Sequence, residues 1–281
     1  MNIRLLLRSL VLWAVALVIL MPILMTLGGS LMGMTELSEA ISPVLQDGVG
    51  YARAPLFPAL PTLAQYLSLL LDTPKFLTMF WNSIILVLPI VLGQAVVGTL
   101  AAWGFSHFRF PGREGLFMGY IALMMMPFQV TLVPTFLVLD RLNLMDTRWA
   151  VILPGIFSTF AVFILRQFFH TIPTALTEAA TIDGAGELRI FATIAVPLGM
   201  PGVASLLVLS FLDNWNLIEP PMTFIKNQEI WPLSLFLKSI GQTNVDVALA
   251  ASVITLLPAL LLFLYGETYL VRGIRMAGLK E

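Results

Sequence analysis

The chain has 281 residues, 58% of them hydrophobic and 11% charged, with a mean hydropathy of +0.93 and a net charge of −1. Soluble domains carry roughly 25% charged residues, so this composition excludes an ordinary soluble protein and places the chain in a bilayer. The absence of cysteine excludes a disulfide framework, a thiol nucleophile and a cysteine-type zinc site, and the two histidines, His107 and His170, are too far apart in sequence to suggest a metal site.

A bilayer core of about 30 Å is crossed by about 20 helical residues rising 1.5 Å each. Six stretches qualify. The first lies in Ser9–Leu31. Arg4 and Arg8 ahead of it also suit a cleaved signal peptide, but the uncharged run exceeds the roughly 7–15 residues of a secretory core, which favours a retained span. The second lies in the uncharged run Phe76–Phe108, which is long enough to be tilted or partly interfacial. The third is Leu116–Leu139, and the fourth is Trp149–Phe169, interrupted near its end by Arg166. The fifth is about Gly199–Ile218 and the sixth about Val247–Leu270. Lipid offers no partner for a free backbone N–H or C=O, so every span must be a helix. The expected fold class is an all-α membrane protein with six transmembrane helices.

Lys and Arg set the orientation. The side holding both termini would carry Arg4, Arg8, Arg109, Arg113, Arg166, Arg189, Arg272, Arg275 and Lys280. The other side would carry Arg53, Lys75, Arg141, Arg148, Lys226 and Lys238. Nine against six puts both termini in the cytoplasm, with Arg141 and Arg148 arguing the other way. Three regions follow: residues 1–75, with the first span and a long proline-rich extracytoplasmic loop; a five-span core over 76–271; and a tail, 272–281. The long loop is expected to be irregular, with one short helix. No internal repeat or low-complexity segment is present.

Between the fourth and fifth spans, residues 171–197 form a polar cytoplasmic loop rich in alanine and glycine. Pro173 suits a helix start, and Thr174 to Asp183 are mostly helix formers. Gly184-Ala185-Gly186 allows a sharp turn. Asp183 is expected as the N-cap of a second helix, Glu187–Ala195, which Pro197 separates from the fifth span. Ala179 and Ala180 give the first helix a face with little bulk, beside the carboxylates of Glu178 and Asp183. Such an element either joins two spans or docks into a partner's cleft.

Polar residues inside spans stand out against this background. Asp213 and Asn216 share a face of the fifth span, roughly 20 Å from its cytoplasmic end, with Asn214 between them and Glu219 beyond. They either line a translocation pathway or tie helices together. Gln129 and Thr131 follow Met124-Met125-Met126-Pro127, where proline can kink the third span. Asn82 and Gln94 fit hydrogen bonds between helices, Glu267 fits an ion pair with Arg272 or Arg275, and His107 fits a solvated or headgroup-facing position.

The polar loop has fixed spacing: Glu178-Ala179-Ala180, three residues, Gly184, nine residues, then Ile194-Ala195-Val196-Pro197. It resembles the EAA loop of ATP-binding-cassette importer permeases, which reads E-A-A, three residues, G, nine residues, I-x-L-P. Val196 in place of leucine is the one departure. Further stretches look like the carbohydrate branch of that family: Phe80–Ser83, Phe108–Arg113, Leu165–Phe169, Ile182–Phe191, Asn214–Asn216 and Val271–Gly273. Two departures stand against it. The branch reads N-W-N-D/E-F-L-W-P where this chain has Asn214-Trp215-Asn216-Leu217-Ile218-Glu219-Pro220-Pro221, so the acid is displaced. The tail ends Gly278-Leu279-Lys280-Glu281 rather than G-A-V-K-G.

The resemblance implies a type I importer permease of the bacterial plasma membrane, acting on a sugar or oligosaccharide by alternating access. Glu178, Ala179, Ala180, Asp183, Gly184, Ala185, Gly186 and Pro197 would couple it to an ATPase. Gln129, Asp213, Asn214, Asn216 and Glu219 are the candidates for the pathway. The implied partners are a second related permease, two ATPase subunits and an extracytoplasmic binding protein, with no nucleic acid. The chain lacks the phosphate loop G-x-x-x-x-G-K-[ST], so it is read as a non-catalytic subunit, with ATP and Mg held by the ATPase. A polyol or glycerol phosphate is the alternative cargo. An ion-coupled secondary carrier is the alternative class, although neither repeated halves nor intramembrane charge pairs are evident.

Overall fold

A computed structural model of the chain describes residues 3–45, 56–236 and 245–278. Arg53, Lys238, Lys280 and the end of the tail, all used in the sequence reading, lie outside the described residues. Two compact units are present, one formed by Met1–Thr78 with Phe236–Pro258 and one by Met79–Leu235 with Ala259–Glu281.

The first unit contains α1 (Ile3–Ser30), α2 (Met34–Leu45) and α3 (Ala64–Leu67), the last running into a π-helical turn, Ser68–Asp72. From Leu10 to Leu24, α1 exposes nearly all its large apolar side chains, including Trp13 at 76%. A helix that is apolar all round and bare of protein contacts is suited to lipid. Its end is anchored by polar and close contacts. Ser30 Oγ lies 2.7 Å from the Tyr66 hydroxyl, and buried Gln65 donates to the Met32 carbonyl. The Leu56 carbonyl comes so near Gly28 that an added Cβ would meet it at 2.3 Å. Among the described residues of the long loop, two short helices stand where one was expected.

The helices α4 (Pro74–His107) and α13 (Val245–Gly278) each contribute to both units. At 34 residues each, they are roughly 50 Å long and exceed the hydrocarbon core. The second unit adds α5 (Arg113–Met124), α6 (Phe128–Arg141), α7 (Trp149–Ile156) and α8 (Thr159–Phe169). It continues with α9 (Thr174–Ile182), α10 (Glu187–Ile190), α11 (Val196–Trp215) and α12 (Glu219–Phe224).

Among the described residues, five helical stretches are long and apolar enough to cross a membrane: Arg8–Ser30, Pro74–His107, Trp149–Phe169, Glu187–Trp215 and Val245–Tyr269. The expected third span is not one continuous helix. It is the pair α5–α6, bent by 103°, and only if this pair counts as one span are there six. The cause is Pro127, which has no N–H to continue the ladder and disfavours a helical Met126. Pro127 itself is extended (φ −67°, ψ 148°) and starts α6.

The fourth stretch is also broken, at Phe157–Ser158, where the Ser158 hydroxyl caps α8 by accepting from Ala161 N at 3.2 Å. Close packing holds α8 on α11. A Cβ at Gly199 would meet Phe169 at 2.4 Å, and one at Gly202 would meet Phe168 at 2.4 Å. Small residues let helices approach where the surrounding lipid supplies no hydrophobic drive between them. Around this contact, Ala102, Trp103, Leu165, Phe169, Ile190 and Leu206 form a buried cluster.

Candidate functional site

Pro173, extended at φ −61° and ψ 129°, starts α9. The helix ends in a Schellman motif: Gly184 N donates to Thr181 O at 3.0 Å and Ala185 N to Ala180 O at 2.9 Å. Gly184 sits at φ +78°, a region costing an L-residue about 1–2 kcal/mol. Open space surrounds the position of its missing Cβ, so glycine is needed here for its backbone and not for its small volume.

Asp183 is the C-cap of α9, not the N-cap of the next helix, which is Gly186. The reversal falls at Gly184, one residue after Asp183, and so leaves the carboxylate on the first helix. Nor does Pro197 separate two helices. It occupies the first turn of α11, where no N–H is required, and the π-helical turn Phe191–Ala195 carries α10 into α11 without a break.

The two alanines divide. Ala180, with Ala185, packs against the cluster around Trp103 and Phe169, whereas Ala179 is exposed. Glu178, Asp183 and Gly186 are also exposed. Beside them stand two apolar side chains that sequence reading did not single out, Ile182 at 86% and Leu188 at 80% exposure. Their signal was available: an isoleucine and a leucine set in an otherwise polar turn.

Polar side-chain contacts brace this element. His107 Nε2 lies 3.2 Å from Glu187 Oε2, and its ring stacks on Trp103 at 4.2 Å, so it is neither freely solvated nor facing outward. Arg166, which seemed only to interrupt a span, is 12% exposed and donates to both Glu114 oxygens, at 3.0 and 3.1 Å. Its guanidinium also lies 3.7 Å from the Phe117 ring centroid. Arg113 shares the same carboxylate at 2.9 Å. The network ties the first turn of α5 to the last turns of α8, immediately before the loop.

The second region lies where α11 ends. Asp213 of α11, its C-cap Asn216 and Glu219 of α12 line a cavity of about 410 Å³, with Phe128 of α6 on the same wall. Gln129 Nε2 donates to Glu219 Oε1 at 3.1 Å, which brings a fourth candidate to the same place. Asn214 does not join them. At about 100° per residue it points away from the face shared by positions 213 and 216. It is 7% exposed and donates to Ser210 O at 2.7 Å. Ser210 Oγ donates to Gln94 Oε1 at 2.6 Å, and Gln94 Nε2 donates to Gly155 O at 2.8 Å. Asn214 therefore belongs to a polar tie between helices, and Gln94 satisfies a carbonyl next to the break in the fourth stretch.

Asn82, expected between helices, instead holds the segment after α12. It donates to Glu229 O at 2.7 Å and Trp231 O at 3.1 Å and accepts from Arg148 Nη2 at 2.9 Å. Ser83 accepts from Leu233 N at 2.7 Å, and Asp146 accepts from Lys226 N and Asn227 N at 2.8 and 2.7 Å. The pairing expected of Glu267 falls on the side chains of Arg272 and Arg275, which are outside those described.

An all-helical chain with a braced, exposed loop element and a polar cavity in an otherwise apolar helix set has the build of a membrane transport subunit. Residues 94–276 match the family of binding-protein-dependent transport system inner membrane components, and the chain belongs to that family. It is 30% identical over 226 residues to the arabinooligosaccharides transport system permease protein AraQ of Halalkalibacterium halodurans, covering 79% of this chain and 81% of that one. It is 35% identical over 208 residues to the sn-glycerol-3-phosphate transport system permease protein UgpE of Pectobacterium atrosepticum, covering 72% and 74%. Its fold is shared with a crystal structure of a bacterial ABC transporter involved in the import of the acidic polysaccharide alginate. There the TM-score is 0.79 at 22% identity, over 94% of this chain and 95% of the other. The match spans both regions described above, the loop and the cavity.

Proposed function

We propose that this chain is the type I permease subunit of an ATP-driven importer, with six spans when α5–α6 is counted as one and both termini in the cytoplasm. Its cargo is a sugar or oligosaccharide, delivered by an extracytoplasmic binding protein and passed by alternating access. A second related permease completes the pathway. Two ATPase subunits bind ATP and Mg and hydrolyse the nucleotide, since this chain has no phosphate loop. On this reading the chain itself performs no chemistry.

The observation that carries the reading is the loop at 178–197. Its spacing is that of an ATPase-coupling element, its turn is held by Gly184 at φ +78°, and its outer surface presents Ala179, Ile182 and Leu188. Glu178, Ala179, Ala180, Asp183, Gly184, Ala185, Gly186 and Pro197 keep the coupling role, with Ala180 and Ala185 acting from the inner side and Pro197 from the helix that follows. Force applied to α9 reaches α8 and α11 through the Trp103–Phe169 cluster, whose large side chains pack as a solid. Asp213, Asn216, Glu219 and Gln129 line the solute path.

Purification of the tagged chain from its native membrane tests the assembly. Two copies of an ATPase and one related permease should accompany it, and a ligand screen on the binding protein should return a neutral saccharide. A complex with no ATPase would contradict the reading and favour an ion-coupled carrier. A phosphorylated polyol as cargo would leave the machine intact but change its substrate.

A further inference from the structure

We infer that the cavity at the end of α11 selects by charge, admitting a neutral, hydroxyl-rich solute and turning back one that carries a phosphate or carboxylate. The inference rests on the proposal that this cavity lies on the solute path.

The lining carries two carboxylates, Asp213 and Glu219, and no Lys, Arg or His. Asp213 has no ion pair among the described residues, and the one side-chain hydrogen bond to the Glu219 carboxylate comes from the neutral amide of Gln129. This differs from the two carboxylates that brace the loop. Glu114 is shared by two guanidinium groups, and Glu187 faces His107. The carboxylates that brace the loop meet guanidinium or imidazole partners, whereas the two facing the cavity meet none among the described residues.

An open carboxylate is an acceptor without a donor. Sugar hydroxyls supply donors, and the Asn216 and Gln129 amides can bind hydroxyls in either sense. Phe128 offers an apolar wall for the C–H face of a sugar ring. A phosphate or uronate brings only further acceptors and like charge, with no cation on this chain's wall to receive it. In a cleft lined by one sign of charge, ions of the opposite sign are concentrated and those of the same sign depleted by about tenfold or more. The chain would then differ in cargo charge from importers of glycerol phosphate or of an acidic polysaccharide, although it shares their fold and family.

The absence of cysteine makes a direct test possible. Asn216→Cys places a thiol of this chain on the cavity wall, and Phe57→Cys places one at an exposed position ahead of α3, in a pocket whose lining holds no charged side chain, as a control. Both are studied in the complete importer in proteoliposomes at neutral pH and low salt. Cationic and anionic methanethiosulfonates of similar size are compared by their rates of modification. The cationic reagent should react about tenfold faster at position 216, relative to the ratio at position 57. Adding Asp213→Asn and Glu219→Gln should abolish the difference. Arabinotriose should slow modification at position 216, and sn-glycerol 3-phosphate should not. Ile218→Cys, on the same lining, gives the same readout if the first variant does not assemble. A rate ratio equal to the control's, or protection by the phosphate ester, overturns charge selection while leaving the pathway in place. Modification that does not impair uptake removes the cavity from the pathway, and the inference with it.

Discussion

The coupling loop and the cavity are built from opposite materials. In the loop the decisive feature is backbone: a helix end, a glycine at φ +78° and two Schellman hydrogen bonds, all within residues 174–186. In the cavity it is side chains, brought by α6, α11 and α12 from positions some ninety residues apart. A backbone device needs particular residues at fixed spacing. A convergent cavity needs only suitable chemistry in roughly the right place. The loop is therefore constrained as a string and the cavity as a shape, and substitutions should separate them.

The largest effect is expected where both depend on one contact. Gly202→Val sets a branched side chain against Phe168, where even a Cβ would come within 2.4 Å of the ring. Overpacking of this kind costs about 1–3 kcal/mol or more. The variant should accumulate poorly in the membrane, and normal accumulation would show that α8 and α11 are less tightly joined. A loop-specific change comes next. Ile182→Asp with Leu188→Asp puts charge on the two most exposed apolar side chains of the loop while leaving the cavity untouched. The ATPase should no longer co-purify, and retained co-purification would move the docking surface elsewhere. The smallest effect is expected at Asp183. An N-cap changed to alanine costs typically about 1 kcal/mol. Asp183 is a C-cap, and its carboxylate sits at the unfavourable end of the helix dipole. Asp183→Ala should therefore leave thermal stability unchanged or slightly raised, and any loss of activity would report on a contact with the partner.

What could be read from the sequence follows the same division. The all-helical architecture followed from hydropathy, because a bilayer leaves the backbone no alternative. The loop's helix–turn–helix followed from Pro173 and Gly184. Its finer geometry did not, because the N-cap preference of aspartate pointed the wrong way once the reversal fell at Gly184. The bend between α5 and α6 was signalled by Pro127, but its size was not, since proline fixes a missing hydrogen bond and not the angle that follows. The facing of Asp213 and Asn216 was readable from helical period, whereas Asn214 was counted with them although the same period turns it away. The pairing of Gln129 with Glu219, of Arg166 with Glu114 and of His107 with Glu187 was hidden, because each joins residues distant in the chain.

The central claim is that the loop transmits ATP-driven motion through the backbone conformation at Gly184. The most direct test is the ratio of solute transported to ATP hydrolysed, measured in proteoliposomes that contain the complete importer with Gly184→Ala or Gly184→Val. Open space around the missing Cβ means that alanine meets no steric block and acts through the strain at φ +78°, to which a β-branched valine adds. Insertion and assembly should be normal, hydrolysis should persist, and the transport ratio should fall well below that of the unaltered protein, more for valine than for alanine. An unchanged ratio in both variants, with the complex intact, would contradict the account.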